Sequence, residues 1–259
     1  MPSRRPGDTV IPANTLNRIL GGWFIGSFVR RDSVVEGVAF LHEAWERHRA
    51  GTQLVVICNH ASYADSHIIE QLLLRVGFRD FAFSVHHMAG QKTYRTPWRR
   101  FFTFGVNTIK VIQSTATQDP GLKRRQALES FKAFKRVVAT RPVLLFPEGT
   151  RTRTGRMGPT SPALANYLRG SLVLPMALQG TERMLGVGMR YPQAATIVLR
   201  IGRPFIAQPV PRADKGQEMA AYVQHIIDLL DPPYRPVSET GRCEGAGSTE
   251  FLPRARPQE

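Results

Sequence analysis

A histidine and an aspartate stand five positions apart in Asn59-His60-Ala61-Ser62-Tyr63-Ala64-Asp65. The stretch follows Leu54-Val55-Val56-Ile57-Cys58, an apolar run that reads as a fully buried strand. Strands of this kind deliver their last residues to the sheet edge, where open α/β folds place ligands. If the turn after the strand opens a helix, the Asp65 carboxylate can fold back on the His60 imidazole. It would hold one ring nitrogen and leave the other free as a base, the orienting half of a catalytic triad. No serine or cysteine sits in a recognisable nucleophile motif, so such a base would act directly on a substrate hydroxyl. The spacing alone is weakly specific, because most His and Asp residues so placed are capping or surface groups.

A second stretch sharpens the reading. Val143-Leu144-Leu145 continues into Phe146-Pro147-Glu148-Gly149-Thr150-Arg151, another buried strand running into a polar turn that ends in arginine. Gly149 permits a tight turn whose backbone can approach a ligand closely. Glu148 can hold that turn by accepting backbone hydrogen bonds, and Arg151 offers a fork for phosphate. The plainer alternative is a local Glu148–Arg151 ion pair. Taken together, in their order and at their separation, the two motifs resemble those of the glycerolipid acyltransferases, a family that includes the 1-acylglycerol-3-phosphate acyltransferases. The resemblance runs from about Val34 to Val210. It implies His60 as general base, Asp65 as its support, and Glu148, Gly149, Thr150 and Arg151 at the substrate. Lys92, which follows a predicted strand over Phe81 to Val85, matches a lysine that the family carries near the substrate. No cofactor is implied; acyl-coenzyme A or acyl carrier protein would be the co-substrate.

One block departs from the family. Gly105-Val106-Asn107-Thr108-Ile109-Lys110-Val111 stands where family members end in an arginine that holds the acceptor's phosphate. Here Val111 occupies that place and Lys110 precedes it. Neighbouring strand residues point to opposite faces, and lysine lacks arginine's bidentate fork, so Lys110 is no simple replacement.

The positioning elements follow from periodicity. Leu16, Ile19, Leu20, Trp23 and Phe24 recur at helical spacing after Asn14 or Thr15 as cap, with Arg18, Arg30 and Arg31 flanking. The uninterrupted apolar part, Ile19 to Val29, is far short of the ~20 residues that span a bilayer. It fits an interfacial helix as well as a helix packed on the protein's own core. Helices are predicted over Ala39 to Arg49 and Ser66 to Val76, with His42 and His48 as solvated helix residues. His86 and His87 lack a supporting carboxylate for a metal site. Trp98, Phe101, Phe102 and Phe104 interleave with Arg95, Arg99 and Arg100, which suits either a membrane-facing turn, a phosphate-rich ligand, or a helix that buries its aromatics. Lys123 to Val138 reads as a basic helix, Leu172 to Leu178 as an apolar strand, and Glu218 to Leu230 as a closing helix.

The chain of 259 residues carries a formal charge of +15. That excess concerns partners more than fold: anionic membranes, phosphate-bearing lipids and coenzyme A fit it. Nucleic acid is not expected, because the basic residues are dispersed and no zinc-finger or ribonucleoprotein motif occurs. Cys58 and Cys243 fall in a buried strand and a polar tail, so no disulfide is expected. No Gly-x-Ser-x-Gly elbow points to a hydrolase.

The expected architecture is α/β: a central mixed β-sheet flanked by helices, with an N-terminal amphipathic membrane-docking helix. Residues 1–32 form the arm and helix, 33–231 the acyltransferase domain, and 232–259 a disordered tail. The expected activity moves an acyl group from a thioester to a lysophospholipid hydroxyl, with 1-acylglycerol-3-phosphate the leading acceptor. Alternatives are another lysophospholipid, an aminolipid or a glycolipid as acceptor, or a non-catalytic basic protein of membrane surfaces or nucleic acid. The expected location is the cytoplasmic face of a membrane, bound peripherally.

Overall fold

A computed structural model of the protein describes residues 9–111, 119–209 and 214–236. In chain order the elements are β1 (Val10–Ile11), α1 (Thr15–Gly26), β2 (Val34–Glu36), α2 (Val38–Arg49), β3 (Leu54–Cys58), α3 (Asp65–Arg75) and α4 (Arg79–Ser84). There follow β4 (His86–Gly90), α5 (Pro97–Thr103), β5 (Asn107–Val111), α6 (Pro120–Val138), β6 (Val143–Leu145) and α7 (Ala165–Leu168). The chain continues through β7 (Leu172–Gln179), α8 (Thr181–Leu185), β8 (Val198–Ile201), β9 (Phe205–Ile206) and α9 (Lys215–Ile227).

The strands form one mixed sheet in the order β1-β5-β4-β6-β3-β7-β8-β2, with β9 also paired to β7. Its centre is parallel: β5 with β4, β4 with β6, β6 with β3, and β3 with β7. Antiparallel pairs lie outside this block, at β1–β5, β7–β8 and β7–β9. Parallel strands need both faces covered, and β3 shows it residue by residue. Leu54, Val56 and Cys58 enter the core beneath α2 and α3. Val55 and Ile57 enter the opposite core, with Phe134 of α6 and Val223 of α9. The period of two thus yields an apolar run without polar alternation.

Two expectations are corrected. Phe81 to Val85 is not a strand: α4 spans Arg79–Ser84, and the strand begins only at His86. Gly77, at φ 84°, ends α3 and lets the chain turn at once into α4, which buries Phe81 and Ala82. A short apolar run supports either state, and here the register His86 opposite Val143 sets the strand's start. His48 is not solvated either; it is 9% exposed, and its Nδ1 bonds the Thr52 carbonyl at 2.8 Å just past the end of α2.

α1 packs inward through Gly21, Gly22 and Ile25. The glycines bring its backbone against α3, where a Cβ on Gly22 would lie 2.7 Å from the Gln71 side chain. Leu16, Ile19, Leu20 and Trp23 stay exposed. Among the described residues, no helix is long and apolar enough to cross a membrane. At the other end, packing runs past residue 231: Pro232–Tyr234 form a 3-10 turn, Tyr234 is buried, and its carbonyl accepts from the Met157 N–H at 2.8 Å. The rest of the expected disordered tail, from 237, lies outside the described residues.

Candidate active site

Adjacent parallel strands β3 and β6 end side by side, with Ile57 opposite Leu145. His60 and Glu148 therefore each lie three residues beyond a matched pair. The His60 N–H donates to Glu148 Oε2 at 2.8 Å, and the Gly158 N–H donates to Oε1 at 3.0 Å. Burial pushes the Glu148 carboxyl well above the usual range, against the pull of those two bonds. The Thr152 N–H closes the pair of loops on the His60 carbonyl at 2.8 Å. Gly149 turns the chain at φ 64°.

The His60–Asp65 pair forms. His60 Nδ1 donates to Asp65 Oδ2 at 2.8 Å, and the same oxygen accepts from the N–H groups of Ala61 and Ser62 at 2.8 and 2.9 Å. Asp65 is fully buried as the first residue of α3, where the helix dipole favours a negative charge. The imidazole stacks on Phe146 with centroids 4.1 Å apart and planes at 15°. An acceptor on Nδ1–H leaves Nε2 with its lone pair, the form a general base needs. Asn59 anchors the turn by exchanging two bonds with the Leu178 backbone, at 2.8 and 2.7 Å. The neighbouring Cys58 thiol is buried and pushed well up in pKa, so it is no thiolate nucleophile.

His60 opens on a cavity of about 550 Å³ at the carboxyl ends of the parallel strands, within the range of small-molecule sites. Lys92, Gly149, Thr150 and Arg151 line it. Glu148 does not; it lies beneath the site, 8% exposed, bonded to backbone. Arg151 forms no ion pair with it. Its guanidinium instead sits 3.1 Å from the centroid of the Tyr63 ring, and burial lowers its pKa. Val111 lines the cavity, whereas the Lys110 ammonium lies over the Tyr94 ring at 5.9 Å. The second block thus contributes no cation to the wall. Three further residues were not assigned to the site from sequence: Tyr63 and Arg99 on the cavity wall, and Phe146 beneath His60. Tyr63 and Phe146 fall inside the two motifs, which was the available signal; Arg99 lay in the aromatic–basic stretch.

Among the described residues, no group of His, Cys, Asp and Glu side chains could hold a metal ion. No curated protein matches the chain. A solved structure, the 1-acyl-sn-glycerophosphate (LPA) acyltransferase PlsC from Thermotoga maritima, matches with a TM-score of 0.52 at 19% identity, over 83% of this chain and 82% of that one. That likeness is one of fold, an α/β domain with a central mixed sheet flanked by helices. Residues 40–179, just over half of the chain, match the family described as Acyltransferase. They contain both motifs, from His60 and Asp65 to Glu148 and Arg151, and the chain belongs to that acyltransferase family.

Proposed function

We propose that the protein transfers a fatty acyl group from an acyl thioester to the free hydroxyl of a lysophospholipid, with 1-acylglycerol-3-phosphate as acceptor and phosphatidate as product. The observation that carries this is the 2.8 Å His60–Asp65 bond, which leaves Nε2 free in a cavity shared with Arg151. His60 Nε2 takes the hydroxyl proton while the oxygen attacks the thioester carbonyl. The C–O bond forms, the C–S bond breaks, and the departing thiolate receives the proton from the imidazolium. Asp65 holds the ring and supports its transient charge. No acyl-enzyme is formed. The thiol carrier is coenzyme A or acyl carrier protein.

The exposed face of α1, with Leu16, Ile19, Leu20 and Trp23, supports peripheral docking on a membrane by an interfacial helix. A second acceptor class is favoured by one observation: Val111 faces the cavity where an arginine would mark a glycerol-phosphate site. Another lysophospholipid, an aminolipid or a glycolipid would then take its place, with the same chemistry.

Product mass spectrometry decides between them. The protein is mixed with acyl-coenzyme A or acyl carrier protein and a panel of lysolipids, with His60→Ala as control. Phosphatidate that forms only with the unsubstituted protein is the expected result. A different acylated product moves the acceptor. Silence with both donors, while the fold persists, would overturn the enzymatic reading in favour of a binding protein.

A further inference from the structure

We infer that Arg99 and Tyr63 form, with Arg151, a clamp for a phosphate monoester dianion, and that this clamp replaces the arginine absent at Val111. The inference rests on the acyltransferase reading above and names the residues that select its acceptor.

Three separate segments converge here: Tyr63 from the loop after β3, Arg99 from α5, and Arg151 from the loop after β6. Both guanidinium groups lie over one phenol ring, Arg151 at 3.1 Å and Arg99 at 4.7 Å from its centroid. All three residues line the cavity into which His60 opens.

Two cations this close repel. Among the described residues no carboxylate forms a direct ion pair with either guanidinium, although the Asp65 carboxylate acts on Arg151 from further off and favours its charged form. Elsewhere Arg18 pairs with Glu70, Arg169 with Glu218, and Arg200 with both Glu36 and Asp231, though other arginines of this basic chain have no carboxylate partner either. Arg99 and Arg151 have no such pair, and Nη1 of Arg151 is buried without a hydrogen-bond partner. An aromatic ring can hold a guanidinium in place without cancelling its charge, which a carboxylate would do. The arrangement therefore keeps two positive forks oriented, neither with a carboxylate directly bonded to it. Arginine forks match phosphate oxygens in bidentate geometry. A monoester dianion balances both charges; a diester, with one negative charge, leaves one uncompensated.

Phosphate monoesters occur on two substrates of the proposed reaction, the lysophosphatidate acceptor and coenzyme A. We assign the clamp to the acceptor. The Tyr63 ring stands three residues beyond the catalytic base, on the same turn.

Steady-state kinetics of the full chain in mixed micelles tests this, with 1-acylglycerol-3-phosphate as monoester acceptor and 1-acylglycerophosphoglycerol as diester. Arg99→Gln and Tyr63→Leu should each raise KM for the monoester by about tenfold, the loss of one charge-assisted hydrogen bond or its support. They should leave kcat and the diester KM nearly unchanged. Tyr63→Phe, which keeps the ring face, should raise the monoester KM less than Tyr63→Leu does. Lys132→Gln, an exposed cation of α6 paired to Glu129 at 3.2 Å, controls for loss of general positive charge. Equal changes for both acceptors, or none, would overturn the clamp. A rise confined to the KM of acyl-coenzyme A would overturn its assignment to the acceptor. If the wild type turns over no acceptor, the acyltransferase reading fails by itself, and calorimetry with water-soluble 1-hexanoylglycerol-3-phosphate still decides the clamp. Weaker binding by Arg99→Gln supports it, and unchanged binding sinks it.

Discussion

The backbone N–H of His60 donates to the side chain of Glu148 at 2.8 Å, across the ends of two strands whose paired positions set both residues level. Glu148 therefore acts on the His60 loop without touching the cavity. It fixes the loop that carries His60 and, through Gly158, the loop on the far side. Glu148→Gln retains one acceptor oxygen and turns an NH2 group on a backbone donor. Stability should fall by about 1–3 kcal/mol, the cost of one unsatisfied buried group. Thermal unfolding would register this as a drop of roughly 2–4 °C per kcal/mol for a chain of this size. Turnover should fall more than acceptor KM rises, because His60 and not the substrate loses its place. An unchanged Tm with a raised KM would instead make Glu148 a substrate ligand.

Asp65 carries three donors on one oxygen, and substitutions can separate their roles. Asp65→Asn keeps an acceptor oxygen for the Ala61 and Ser62 N–H groups yet cannot balance an imidazolium. Its kcat should drop by about 10²–10⁴, with the fold and KM retained. Asp65→Ala loses the backbone bonds as well and should lower Tm in addition to kcat. If Asp65→Asn retained wild-type kcat, Asp65 would be a capping residue alone.

How far the site could be read beforehand depends on sequence distance. His60 and Asp65 share one turn, so spacing was enough to bring them together. The apolar runs over β3 and β6 were equally plain, since both faces of each strand are covered. That these strands are neighbours, and so join His60 to Glu148, is a property of the sheet order that no local pattern encodes. Tyr63 and Arg99 lie 36 positions apart and meet only because α5 packs beside the β3 loop. The misplaced strand at Phe81 to Val85 has a different cause. Its true successor, His86-His87-Met88-Ala89-Gly90, carries two histidines and a glycine, a composition that does not signal a strand.

The exposed face of α1 yields a test of docking. Trp23 is 74% exposed and Ile19 61%, so removing them leaves no cavity in the core. Ile19→Ser with Trp23→Ala should keep Tm within about 2–4 °C, because exposed substitutions change stability by only about 0.5 kcal/mol each. Cosedimentation with anionic phosphatidylglycerol vesicles should fall by about tenfold or more, given the ~25 cal/mol per Å² that apolar burial contributes. Undiminished sedimentation would assign the membrane contact to the basic surface elsewhere.

Beneath α1 lies a buried polar group with opposing pH responses. Burial pulls His67 from 6.5 down to about 4 and His87 from 6.5 down to about 3, and it pushes Glu70 from 4.5 up to about 7 against the pull of Arg18. The signs follow from proton counting. Below pH 6.5 the unfolded chain binds a proton at His87 that the folded chain refuses. That contribution is complete above 6.5 and is lost as pH falls toward about 3. Glu70 works the other way: between pH 4.5 and about 7 the folded chain keeps a proton that the unfolded chain has released. Its contribution is complete below 4.5 and is lost as pH rises through about 7. Denaturant unfolding as a function of pH should therefore separate two variants that never titrate at these positions. Relative to His87→Gln, the wild type should lose about 1.4 kcal/mol per pH unit on acidification below 6.5, one proton's worth. Relative to Glu70→Gln, it should lose a similar amount per unit on the alkaline side of 4.5, levelling near pH 7. Two differences that stay flat across pH would mean that the histidine and the glutamate titrate normally in the fold, and that the network beneath α1 is open to water.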